Sequence, residues 1–169
     1  MNTRIFVFGV ILAVSFAAGD AQIHAANAPK PVSAKKFDAL AESALNAMKK
    51  RAAELNVHGV AMVAYAQGDT IQAWSSKMAV VGRMTDLPTA TNKGNNMLGI
   101  VYPKAAEMAD TLENSGTAKR PPMIGEFGWR GGLIARVKTG CAIVAFSGAS
   151  ADDDVAVSQA GLEVLKAGL

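Results

Sequence analysis

Cysteine is almost missing from this chain: Cys141 is the only one. A single thiol cannot close an internal disulfide, so the core, or other subunits, must hold the fold together. Cys141 lies in an apolar run and reads as a small buried hydrophobe. Histidine is nearly as scarce, with only His24 and His58. One His and one Cys in separate segments do not supply the ligand spacing of a zinc site. A Ser-His-Asp triad would rest on His58, and there is no G-x-S-x-G elbow. No phosphate-cradling loop is complete, because Lys93-Gly94 lacks both the earlier glycine and the terminal Ser or Thr. Aromatics make up 6% of the residues, and no Lys/Arg run carries them interleaved. The net charge of +3 is therefore mild and does not indicate nucleic acid.

What is present starts with an address. Arg4 gives a positive start, and Ile5 to Ala18 is an apolar run too short for a comfortable membrane span. Gly19-Asp20-Ala21 is a small-x-small cleavage site, with alternatives as late as Ala26. Residues 1–21 are thus expected to be a signal peptide, the competing reading being an uncleaved anchor. Export to a bacterial periplasm or medium follows, with no stable membrane anchor after cleavage. Residues 22–32 contain Pro29 and Pro31 and read as a linker. Residues 33–169 then form one domain of about 140 residues with a single modest core. With 50% hydrophobic residues, more apolar surface is expected than one small core hides. A homo-oligomer assembled through helices is the corresponding expectation.

Ser33 can cap a helix to about Leu55, with Phe37, Leu40, Ala41, Ala44, Leu45, Met48, Ala52 and Leu55 on one face. Val57 to Ala66 reads as a strand, Gln67-Gly68-Asp69 as a turn, and Thr70 to Ser75 as the returning hairpin partner. Lys77 to Arg83 is a candidate third short strand, and Thr85 to Asn96 a loop. A helix follows from Pro103 to Asn114, or from near Asn96 with Pro103 as a kink, and Gly116 is placed to end it. Leu133 to Lys138, Thr139-Gly140 and Cys141 to Ser147 form a strand, a turn and a strand. Ser150 caps the last helix, Ala151 to about Leu165. Asp152, Asp153 and Asp154 complement the helix dipole there, a simpler reading than a calcium or magnesium cluster.

The segment Gly125 to Gly132 carries the most suggestive chemistry. Glu126, Phe127, Trp129 and Arg130 sit among four glycines, with Lys119 and Arg120 just upstream. Glycines allow close backbone approach, Trp and Phe offer flat faces, and Arg offers a bidentate donor to anions. A planar, apolar molecule bearing carboxylates suits that mixture. Equally, the segment reads as a structured approach to the hairpin with Trp129 half-buried.

The block resembles the GlcG/HbpS-like family, associated with haem binding and haem breakdown and related to the C-terminal domain of PduO-type proteins. The resemblance rests on Gly131-Gly132, the strand from Leu133, Thr139-Gly140, the strand ending Ser147-Gly148, and the acidic helix start at Asp152 leading to Gly161. Lys104-Ala105 on the middle helix matches as well, and the likeness runs from about Val32 to Leu169. Commoner members have a proline where this chain has Leu133-Ile134-Ala135, and Gly125 to Arg130 is richer in aromatics. The resemblance implies an α+β, profilin-like fold: an antiparallel sheet of about five strands flanked by helices, in an oligomer. It implies haem as the cofactor, for sensing, buffering or oxidative degradation. The alternatives are an enzyme or accessory protein acting on a small carboxylated metabolite, or a structural oligomer without ligand. Iron ligands differ between members, so none transfers by motif. Among this chain's residues His58 is the first candidate and Tyr102 the second. Lys119, Arg120 and Arg130 are candidates to pair propionates, Trp129 to stack on the ring, and Glu126 completes the candidate set.

Overall fold

The structure is a computed structural model and describes residues 32–169. The expected signal peptide, its cleavage sites and nearly all of the linker lie outside the described residues.

Helix α1 spans Ala34–Glu54, where the Ser33 side chain accepts a hydrogen bond from the Lys36 N–H at 3.2 Å. Strands β1 (Gly59–Gln67) and β2 (Ser75–Val81) follow. A small ribbon pairs β3 (Thr85–Asp86) with β4 (Asn95–Asn96). Helix α2 is Met97–Thr111, then come β5 (Gly132–Val137), β6 (Gly140–Ser147) and α3 (Ala151–Gly168). The main sheet has the order β2-β1-β6-β5 and is antiparallel throughout. The architecture is α+β, as the resemblance implies.

The two central strands are buried on both faces, which explains why they read as continuous apolar runs rather than as alternations. Ala61, Val63, Val144 and Phe146 face α1 and α3. Val60, Met62, Ile143 and Ala145 face α2. Three layers result, helices enclosing the sheet from both sides. Cys141 is buried in β6, as its apolar setting predicts.

Three details differ from the sequence expectations. The hairpin partner of β1 is not Thr70 to Ser75 but Ser75–Val81, most of the segment expected to be a third strand. The physical reason lies in Ile71 and Trp74, which pack over the α2 side of the core instead of joining the sheet. The main sheet therefore has four strands, with the ribbon separate. Helix α2 takes the longer of its two expected forms, capped by Asn96 and containing Pro103. It ends at Leu112, whose φ of 55° is left-handed, and not at Gly116.

Candidate functional site

A cleft of about 410 Å³ opens between α2, the start of α3, the ribbon and residues 128–130. Met97 and Ile100 supply an apolar wall, Trp129 and Arg130 the mouth, and Lys104 and Asp154 a charged wall. Lys104 sits on the buried face of α2 between Val101 and Met108. Its Nζ donates to the Phe146 carbonyl and to Asp154 Oδ2, both at 2.7 Å. The two side chains are 2% and 6% exposed, so this is a buried ion pair. Asp154 Oδ1 also accepts from the Ala149 N–H at 3.0 Å. An ammonium has three N–H donors, which leaves one without an acceptor among the described residues. Burial pushes the Asp154 carboxyl up and the Lys104 amine down, and it outweighs their mutual attraction in both cases.

Arg130 pairs with Asp152 at 2.9 Å, and both are well exposed. A surface pair of this kind contributes little, so Arg130 can exchange Asp152 for a ligand carboxylate at small cost. The start of α3 adds its positive dipole end, although Asp152 and Asp153 already offset it.

The structure brings Trp129 and Arg130 to the cleft but leaves the other expected site residues outside it. Arg120 Nη1 and Nη2 donate to the two Glu126 oxygens at 2.7 and 2.8 Å, and Nη2 also donates to Asp110 at 2.6 Å. This pair braces the 121–129 loop. Lys119 is exposed and does not line the cleft. His58 lies beside it, its Nε2 3.6 Å from Asp86. Asp86 is held by Arg83 at 2.6 Å, which lowers its carboxyl pKa. Tyr102 packs with Ile71 and Trp74 over the α2 side of the core. Among the described residues, no three His, Cys, Asp or Glu side chains are grouped to hold a metal ion, and no helix is long and apolar enough to cross a membrane.

Lys104 and Asp154 are the pair that residue chemistry alone did not single out. A trace of each was visible: a lysine in phase with an apolar helix face, and an aspartate three residues before Val157 on another. Their partnership spans fifty positions and becomes apparent only in three dimensions.

The Arg120 brace has a measurable consequence. Arg120, and then the Met123 N–H, hold the Glu126 carboxyl at about 2, below its ordinary value of 4.5. A carboxylate depressed in the folded state adds stability that is present above its unfolded pKa and is lost as pH falls through the folded one. The loss is expected between pH of about 4.5 and 2. Glu126→Gln is expected to melt below wild type at neutral pH, with the gap closing across that window. Thermal melts over the range check this, and a pH-independent gap would show that the brace does not titrate. In comparison with known proteins, the chain matches no family model and no curated protein sequence.

Proposed function

We propose that this chain binds a small, partly flat molecule carrying a carboxylate, held in the cleft beside Lys104. One observation carries the reading: a buried ammonium with a donor to spare lines a cleft that Met97 and Ile100, on the same face of α2, make apolar. Burying a charged amine is costly, and a ligand anion on its free N–H would offset part of that cost. Arg130 at the mouth offers a second, bidentate grip, and Trp129 a flat face. At about 410 Å³ the cleft falls in the range of small-molecule sites. This favours the carboxylated-metabolite alternative over haem. A haem iron needs an axial ligand, and neither of the expected ligands, His58 and Tyr102, lines the cleft.

The test is titration with a panel of aliphatic and aromatic carboxylates, followed by tryptophan fluorescence and calorimetry. At least one is expected to bind saturably, and Arg130→Ala is expected to weaken it by about tenfold or more, the worth of one charge-assisted contact. Haemin is titrated in parallel on wild type, His58→Ala and Tyr102→Phe. If no carboxylate binds, or Arg130→Ala binds like wild type, the reading is wrong. A Soret shift abolished by either of the other variants would restore haem.

A further inference from the structure

Seven large apolar side chains are exposed among the described residues, and four of them lie within seven consecutive positions: Met123, Ile124, Phe127 and Trp129. Ile124, at the tip, is fully exposed. A concentration of this kind on a soluble surface marks a contact site.

The loop that carries them is held in shape. Besides the Arg120–Glu126 brace, the Met123 N–H donates to the Glu126 carboxylate and the Glu126 N–H to the Met123 carbonyl. Phe127 and Trp129 stack at 4.8 Å between ring centroids. A prong already ordered in the free protein loses little entropy on docking.

A receiving surface lies next to it. Residues 70–74 and the outer face of α2 enclose a groove of about 580 Å³. Ala106 and Ala109, being small, leave a hollow flanked by Ile71, Trp74 and Leu112. No residue of the prong lines the groove of its own chain. Asp110 belongs to both features, since it lines the groove and accepts from Arg120 at the prong's base. Prong and groove are therefore neighbours, as a two-fold contact requires when each copy supplies both halves.

We propose that the prong of residues 121–129 docks into the groove between residues 70–74 and α2 of a second copy of this chain, reciprocally, to form a dimer. Charge distinguishes this occupant from a membrane. The prong's base holds Lys119 and Arg120 against Asp110 and Glu126, two cations against two anions. A base without net charge gives no attraction to anionic lipid, whereas an apolar tip with a neutral collar suits a protein groove. Because Trp129 belongs to the prong and also to the mouth of the cleft, docking would bring the partner to the edge of the ligand site. The dimer does not depend on the ligand proposed above and is tested without it.

The experiment uses the full chain. Light scattering at tens of micromolar is expected to give a dimer mass. Ile124→Asp, a change at a fully exposed site, is expected to weaken dimerisation by about tenfold or more with unchanged circular dichroism. Mixing Ile124→Cys with Ala106→Cys protein under mild oxidation is expected to give a disulfide between the two variants. Ile124→Cys mixed with Lys50→Cys, exposed on α1, is expected to give none. A monomer at all concentrations, an oligomer indifferent to Ile124→Asp, or equal cross-linking in both mixtures would overturn the proposal. So would flotation of wild type but not Ile124→Asp with phosphatidylcholine vesicles, with or without phosphatidylserine, since the prong would then serve a lipid surface.

Discussion

Asp154→Ala is expected to destabilise the fold by about 3–5 kcal/mol, because it strands the Lys104 ammonium in the interior. The pair is nearly closed to solvent, and Asp154 also satisfies the Ala149 N–H. Removing the carboxylate leaves the Phe146 carbonyl as the ammonium's one remaining partner among those observed. The double variant Lys104→Met/Asp154→Leu is expected to recover most of the loss, since a pair of apolar groups removes both desolvation costs together. The two changes are therefore strongly non-additive, as residues in direct contact usually are. Urea unfolding of wild type, both single variants and the double variant completes the cycle. Recovery in stability without recovery of carboxylate binding would separate the pair's two roles. The ion pair would then be retained for the cleft and not for the fold. If Asp154→Ala costs under about 1 kcal/mol, water reaches Lys104 and the wall is not buried in solution.

How much of this was legible beforehand depends on how local each cause is. Helix α1 could be read almost to the residue because its cap, Ser33, and its apolar spacing are both short-range. The β5–β6 hairpin was legible for the same reason, although its two-residue turn is Lys138-Thr139, one position before the expected Thr139-Gly140, and Gly140 already pairs with Val137. The hairpin partner of β1 was misassigned to Thr70 to Ser75 because Ile71 and Trp74 look like strand residues yet pack on the α2 side of the core. Apolar character there reports burial without saying in which layer. At the cleft, Trp129 and Arg130 were visible as a cluster in the sequence. Arg120 and Glu126 looked equally suitable until the structure showed their charges bound to each other. Composition cannot tell an anion-binding arginine from one already occupied. For Lys104 and Asp154 the limit is distance along the chain, since no turn, cap or period links positions fifty apart.

Gly131→Ala is expected to cost about 3–5 kcal/mol and to abolish ligand binding, a large effect for one methyl group. Gly131 has a φ of +122°, which side chains rarely tolerate. A Cβ there would collide with Lys104 Nζ, come within 2.7 Å of Asp154 Cβ, and lie 3.0 Å from the Phe146 carbonyl oxygen. The backbone cannot shift to relieve this. The Gly131 carbonyl accepts both the Phe146 N–H at 3.1 Å and the Ser158 hydroxyl at 2.6 Å, which ties it to β6 and to α3. The methyl group must therefore displace the ion pair, exposing or unpairing the charges that form the cleft wall. Gly125→Ala separates this steric cost from the conformational one. Gly125 also has positive φ, +97°, but nothing lies within 4 Å of the added carbon. That variant should lose only about 1–2 kcal/mol, the cost of a left-handed side-chain position, and keep its ligand affinity. Urea unfolding and ligand titration of the two variants side by side decide the matter. Equal losses would mean that strain in the loop, and not the Lys104–Asp154 pair, requires glycine at position 131.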